Sequence, residues 1–417
     1  MKLNVCERKL IFMPNCIIAQ SGGPTSVINS SVVGLIKAND DLKLYDKVYG
    51  GLNGIEGILN KNIIDLSCMS SEDKEVFKYT PSSGLGSCRY KMKPLSESTE
   101  EYDKLISILK ELDIKSFFYV GGNDSMDTTA KLGKYSKEKG LDINFIGIPK
   151  TIDNDLMFTD HTPGFGSAAK FICTSVLETY FDSSVYINNG IFILETMGRD
   201  TGWLAASTCT SRYFGKSVPD FIYLPEVAFD EKKFLADVEK KFKEQNQVYI
   251  VVSEGLKNAE GKFLTELNCV SQDKFGHVQL GGVGEYLRQL ILSAGITNRV
   301  KALELGILQR CAMHCSSQVD IDEAFMAGYK AVKFAAEGNN GCMVALNRTN
   351  DYPYEIEYTL VEANKVANQI KYFPTEWINE EGNYVKEEAI RYFEPLLGGA
   401  PNLYTHKHLP KYKVFTK

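Results

Sequence analysis

The sequence predicts an α/β protein whose mainly parallel sheets are divided between two domains. Three observations carry that expectation. Short β-branched or aromatic runs alternate with longer amphipathic stretches, and a parallel crossover needs a connection of helical length. Glycines fall at the strand-to-helix junctions, where open α/β sheets place their ligand crevice. At 417 residues the chain is also too long for one average core.

Along the chain, strands are expected at 15–20, 116–120, 144–148, 190–196, 247–253, 299–306 and 341–347. Helices are expected between them at 24–38, 100–112, 124–136, 165–180, 201–211, 281–293 and 320–337. In the first helix Ile28, Val32 and Leu35 recur at helical spacing, and Pro24 suits a first turn. Beyond about Asn347 the alternation weakens, and the polar tail from Thr375 to Lys417 carries no clear pattern.

Composition narrows the function classes. With 44% hydrophobic and 24% charged residues, the chain has the makeup of a globular protein rather than a disordered one. The net charge of −6 argues against a dedicated nucleic-acid binder. No window approaches the ~18–20 apolar residues of a membrane span, and no secretory apolar stretch stands near Met1. Ten cysteines in such a chain read as reduced thiols, which points to the cytoplasm.

The chemistry concentrates at four junctions. The first, Gly22-Gly23-Pro24 after the strand at 15–20, lets a phosphate approach backbone N–H groups, though a plain tight turn has the same composition. The second is Gly121-Gly122-Asn123-Asp124-Ser125, where Asp124 is also a natural helix cap. The third, Lys150-Thr151-Ile152-Asp153-Asn154-Asp155, joins a lysine for phosphoryl oxygens to carboxylates that suit Mg²⁺, the plainer alternative being an Asx turn. The fourth, Met197-Gly198-Arg199-Asp200, adds a guanidinium. Four junctions in order are more specific than any one of them.

These residues resemble those of the phosphofructokinase family, in its pyrophosphate-dependent branch of bacterial type. The likeness runs from about Cys16 to about Lys333. It rests on SGGPTSVINS at 21–30, GLGSCR at 84–89, GGNDS at 121–125, PKTIDND at 149–155, TPGFGSAA at 162–169, ETMGRDTGW at 195–203, SEG at 253–255 and LGILQR at 305–310.

The resemblance implies two interlocked Rossmann-like domains with the active site in the cleft between them. It places phosphoryl-donor binding at 1–164 with 309–347, and sugar-phosphate binding at 165–308 with 348–417. It further implies Mg²⁺-dependent, reversible transfer from pyrophosphate to the 1-hydroxyl of fructose 6-phosphate, a glycolytic step giving fructose 1,6-bisphosphate and phosphate. In that reading Asp153 is the general base. Thr151 and Arg199 hold the transferring phosphoryl, while Gly23 and Arg89 cradle the donor together with Asp124 and Lys150. Ile152, Met197, Gly198, Glu254 and Arg310 form the sugar-phosphate pocket beside Thr151, Asp153 and Arg199. Asp155, with Asn123, stands nearest the metal. The family also implies a homodimer or homotetramer.

Three positions depart from the family pattern: Asn123 replaces an aspartate, Ile307 a histidine and Gly190 an arginine, with Lys301 nearby as a substitute charge. An oxidoreductase would need a G-x-G-x-x-G fingerprint, which the first loop lacks. A non-catalytic sugar-phosphate sensor would not need Asp153 and Asp155 beside Lys150. The cluster Cys311, His314 and Cys315 lacks the second ligand pair of a zinc site and reads as structural. His406 and His408 read as solvated, and Glu231-Lys232-Lys233 as a solvated helix face.

The nearest rival is an ATP-dependent member of the family, in which small glycines replace Asp124 and Lys150. A carboxylate at 124 repels the α-phosphate of ATP, and pyrophosphate has no α-phosphate to repel. Unit charges ~4 Å apart at an effective dielectric near 20 interact by roughly 4 kcal/mol, so even half of that exceeds a tenfold preference. Asp124→Gly is therefore expected to raise ATP turnover from background while pyrophosphate use falls. Steady-state rates with each donor check this, and an unchanged donor ratio would remove the charge argument.

Overall fold

The computed structural model describes residues 13–265 and 282–415. In chain order its first part comprises β1 (Asn15–Gln20), α1 (Ile28–Leu42), β2 (Val48–Gly51), α2 (Gly54–Leu59), β3 (Ile63–Asp65), α3 (Ser71–Lys78), α4 (Glu100–Glu111), β4 (Ile114–Gly121), α5 (Asn123–Glu138) and β5 (Asn144–Pro149). There follow α6 (Phe165–Ser183), β6 (Ile191–Thr196), α7 (Trp203–Ser207), the hairpin β7 (Arg212–Tyr213) and β8 (Lys216–Ser217), β9 (Phe221–Tyr223), α8 (Glu231–Gln245), β10 (Val248–Ser253), α9 (Val283–Ser293) and β11 (Val300–Glu304). The last part holds α10 (Gln318–Ala336), β12 (Cys342–Asp351), β13 (Tyr354–Glu362), α11 (Ala363–Val366) and α12 (Glu387–Phe393).

Two large sheets carry most of these strands, and β7 and β8 pair only with each other. Seven strands form the first in the order β13-β12-β5-β4-β1-β2-β3, and four form the second in the order β11-β6-β10-β9. The second is parallel throughout, whereas β3 and β13 close the two edges of the first as antiparallel strands. The centre of the first sheet is parallel, with Ile17 opposite Phe117 and Phe117 opposite Phe145. Helices cover both faces: Ile18 packs with residues of α1 and α10, and Ile17 with residues of α4. Burial on both faces explains why β1 reads as a continuous apolar run instead of an alternating one.

The order of strands fixes where a ligand crevice opens. From β1 the chain moves outward to β2 on one side and β4 lies on the other, so the direction reverses between β1 and β4. Both strands end in glycine-bearing loops, at Gly22-Gly23 and at Gly121-Gly122. Crevices of this kind lie beyond the carboxyl ends of strands at such a reversal.

Several expectations need correction. Helix α1 starts at Ile28, not at Pro24. The intervening backbone is held from outside: Gly22 N–H donates to Cys88 O at 3.0 Å, and Thr25 O accepts from Ser82 N at 3.1 Å. The glycine loop is therefore a bend, with Gly22 at φ 77°, held by neighbouring segments and not by the first turn of α1. The helix expected at 201–211 stops at Ser207 and tightens into a 3₁₀ turn at Thr208–Thr210. Residue 281, the expected start of α9, lies outside the described residues. The β12–β13 hairpin carries the first sheet to Glu362, past the boundary expected at 347.

The tail holds more structure than its sequence suggests. Phe373, Ile378, Val385, Ala389, Ile390, Phe393 and Leu396 are buried in one core with Phe165 and Trp203. Its elements are single turns, short helices and a two-residue strand pair at Thr405–His406 and Leu409–Pro410, too brief for hydrophobic periodicity to register.

Helices α1 and α10 approach backbone to backbone. A Cβ placed at Gly34 would lie 1.9 Å from Phe325 O, and one at Gly328 would lie 1.9 Å from Ser31 O. Ser30 Oγ also donates to Ile321 O at 2.7 Å across this seam. Gly34→Ala is therefore expected to destabilise the fold by about 1–3 kcal/mol through overpacking, despite alanine's better helix propensity. Urea unfolding measures this, and a stability equal to the parent's would show that the seam can widen freely.

Candidate active site

Loops from both sheets converge on one cavity of ≈ 330 Å³. Ser21, Gly22, Gly23 and Pro24 follow β1, Cys88, Arg89 and Tyr90 come from the loop before α4, and Gly122 to Ser125 follow β4. Lys150 to Asp153 and Asp155 follow β5, Met197, Arg199 and Asp200 follow β6, Glu254 follows β10 and Arg310 lies beyond β11. Every residue to which the resemblance gives a catalytic, donor, sugar or metal role lines this cavity except Gly198, which is bonded to the lining residue Glu254. Gly198 takes φ 128°, and a Cβ there would lie 2.6 Å from Thr201 O. Its N–H donates to Glu254 Oε1 at 3.2 Å, so this glycine orients the glutamate through its backbone.

The two glycine junctions are tied to each other. Ser21 and Ser125 share a hydroxyl–hydroxyl hydrogen bond, and a Cβ at Gly121 would collide with the Ser125 hydroxyl at 1.9 Å. Between them Lys150 is buried, with its ammonium donating to Gly23 O at 2.5 Å. Arg310 reaches the same loop, where its guanidinium would stand 3.4 Å from a Cβ at Gly23. A Cβ at Gly22 would stand 3.3 Å from the Lys150 ammonium, so a side chain at Gly22 or Gly23 would extend toward one of these cations.

Burial and crowding shift the charged groups. Burial lowers the Lys150 pKa to about 8; Asp153 and Asp155 oppose that shift, and Arg310 and Arg89 add to it. Asp153 is pushed up to about 7, first by burial and then by the charges of Asp155 and Glu254. Burial likewise raises Asp155 and Glu254. Carboxylates near one another in low dielectric resist simultaneous ionisation, which makes an added cation favourable here. A base whose pKa lies near neutrality is also well matched to proton transfer.

The loop holding Asp153 is built by its own backbone. Asp153 N–H donates to Thr151 Oγ1 at 3.1 Å, and Thr201 Oγ1 donates to Asp153 O at 3.2 Å. Asn154 adopts φ 56° and is buried, with its amide donating to the Tyr392 hydroxyl at 2.9 Å. The side chain that closes this turn is the Thr151 hydroxyl, in place of the Asx turn expected as the plainer alternative, and the same turn carries the charged cluster.

Other placements depart from expectation. The amide of Asn123 is engaged by the tail on both sides, accepting from Asn368 N–H and donating to Gln369 O at 2.5 Å each. That contact uses both the donor and the acceptor of an amide, which a carboxylate at this position would not supply. Gly190 has no room for a larger side chain, since a Cβ would lie 2.3 Å from Arg299 O. Ile307 is exposed, and Lys301 lies outside the cavity lining, paired with Asp182 at 3.6 Å. Cys311 and Cys315 donate to Ile307 O and Thr174 Oγ1, and among the described residues no His/Cys/Asp/Glu group of three is placed to hold a metal. The run Glu231-Lys232-Lys233 forms the exposed first turn of α8, as expected.

The sequence assigned no role to Tyr90, nor to Asp200 within the fourth junction, and both line the cavity. Nor did it mark Gln309 within LGILQR, whose amide oxygen accepts from Met197 N–H at 3.0 Å. Glu226, which accepts from Gly202 N–H at 2.9 Å, and the tail behind Asp155 were overlooked as well. Nothing in their spacing marks them.

The phosphofructokinase family model matches residues 15–335. The chain is 39% identical over 408 residues to the pyrophosphate–fructose 6-phosphate 1-phosphotransferase of Halomonas elongata, covering 97% of this chain and 96% of the relative. It is also 39% identical over 401 residues to the enzyme of that name from Xanthomonas campestris, covering 95% of each. The solved pyrophosphate-dependent phosphofructokinase of Nitrosospira multiformis superposes with a TM-score of 0.86 at 36% identity, covering 96% of each chain. Junction loops, cavity and full-length likeness agree, and the chain belongs to the phosphofructokinase family.

Proposed function

We propose that this chain transfers a phosphoryl group from pyrophosphate to the 1-hydroxyl of fructose 6-phosphate, giving fructose 1,6-bisphosphate and phosphate. The observation that carries the reading is a single cavity in which Asp124 is exposed at the first turn of α5 while Lys150 is buried beside Gly23. The carboxylate disfavours a nucleotide's α-phosphate, and the ammonium neutralises a departing phosphate. The names of the full-length relatives support the same donor.

In this mechanism Asp153 accepts the hydroxyl proton as the sugar oxygen attacks phosphorus. Thr151 and Arg199 hold the transferring group, while Gly23 and Arg89 hold the donor beside Asp124 and Lys150. Ile152, Met197, Gly198, Glu254 and Arg310 shape the sugar site. Most of the rate enhancement comes from positioning and electrostatic stabilisation, since phosphoryl transfer needs little covalent participation. Mg²⁺ fits a site with crowded carboxylates and no full protein cage, because this ion is commonly held by one or two carboxylates plus substrate phosphates. Asp155 is the residue we assign to it, and the ion would neutralise phosphoryl charge. The seven-stranded half handles the donor and the four-stranded half the sugar.

The working form is a homodimer or homotetramer, supported by the exposed aromatic cluster of Phe181, Tyr213 and Phe214. Free thiols among the described residues support a reducing, cytoplasmic setting. No helix among those residues is long and apolar enough to cross a membrane.

The decisive assay compares pyrophosphate with ATP at equal Mg²⁺. Turnover is expected with pyrophosphate, and a faster rate with ATP would overturn the donor assignment. Asp153→Asn preserves size but removes the proton acceptor. Its kcat is expected to fall about 10²–10⁴-fold with little change in KM. A variant that keeps most of its turnover would remove Asp153 as the base.

A further inference from the structure

Residues 368–373 form a strap between α11 and α12 that lies outside the cavity lining. The strap is nevertheless bonded to three of the junction loops that build the cavity. At the first, Asn123 clasps Asn368 and Gln369 through both ends of its amide. At the second, Lys371 N–H donates to Asp155 O at 2.8 Å, and its ammonium donates to Asp160 O at 2.7 Å and Thr159 O at 3.1 Å. At the third, Trp203 Nε1 donates to Lys371 O at 2.9 Å, and Glu226 Oε1 accepts from both Gly202 N–H and Phe373 N–H.

The chemistry of Lys371 is unusual for a merely structural tie. Its side chain is half-buried behind the loop that carries Asp153 and Asp155, and desolvation there lowers its pKa to about 8. Desolvating a charge is costly unless it is hydrogen-bonded, and here its partners are two main-chain carbonyls and the Asn154 amide oxygen of that loop. The Tyr392 hydroxyl completes the support, donating to Asp160 O at 2.6 Å and accepting from Asn154.

We infer that the strap is a positioning element of the phosphoryl-transfer site, with Lys371 as its central positioning residue. It sets the backbone of Asp155, and through it the carboxylate of Asp153, relative to the junctions at Asn123 and Trp203. The inference rests on the phosphoryl-transfer reading above. Pyrophosphate-dependent turnover by the parent chain is the control that separates failure of one from failure of the other.

The test compares Lys371→Met, Lys371→Gln and Trp203→Phe in the full chain, with kcat, KM for both substrates and thermal midpoint measured together. Displacing reacting groups by about 1 Å can cost on the order of 10²-fold in rate, so Lys371→Met is expected to lose about 10–100-fold in kcat. KM should change far less. Lys371→Gln, whose amide can still donate to a loop carbonyl, should recover part of the rate. Trp203→Phe keeps an aromatic ring but loses the Nε1 donor, and should lower kcat with a smaller effect on stability. It decides the matter if Lys371→Met fails to fold. Variants that melt earlier yet keep the parent's kcat per folded molecule would overturn the inference, because the strap would then serve stability alone.

Discussion

Burial of one ammonium beside several carboxylates is the constraint on which the site depends. Lys150 is almost wholly withdrawn from water, and Asp153 and Asp155 share its surroundings. Removing each ion from water costs several kcal/mol even after relaxation, while a pair ~4 Å apart at an effective dielectric of 20 regains roughly 4 kcal/mol. Attraction alone therefore does not hold such a cluster together. Backbone hydrogen bonds must fix the loops that carry it, and they do so at Gly23, Asp153 and Asp155.

The two sheets supply that fixity in a common way. Each ends several parallel strands at the same level, so the loops beyond them meet without long excursions. Close approach of α1 and α10 at Gly34 and Gly328 presses one layer onto the first sheet, and the tail packs Phe373 and Phe393 against Trp203 beside the second. The cavity inherits its shape from these contacts rather than from its own side chains.

Charge placement within the cavity divides the labour. Asp124 is exposed in the first turn of α5, where the helix N-terminus favours its negative charge, whereas Lys150 is held in place before any ligand arrives. A preorganised cation needs no reorganisation as charge develops, which is where electrostatic stabilisation is most effective. Burial first, and then the negative field of the second carboxylate, Asp155, raise the Asp153 pKa to about 7.

Much of this was legible in the chain itself. Parallel strands buried on both faces must be continuous apolar runs, so β1, β4, β5, β6 and β10 could be placed within a residue or two. Glycine and charge at their ends marked the lining of the cavity, because ligand-facing loops need small residues and fixed donors at known positions in such folds. The antiparallel edge strands β3 and β13, the late start of α1 and the strap at 368–373 were not legible. Their form is set by partners distant in sequence: Ser82 and Cys88 for the glycine loop, Asn123 and Asp155 for the strap. Hydrogen bonds between remote segments leave no periodicity. The residue types at the site were thus determined by the sequence, and their common frame was decided only by tertiary contact.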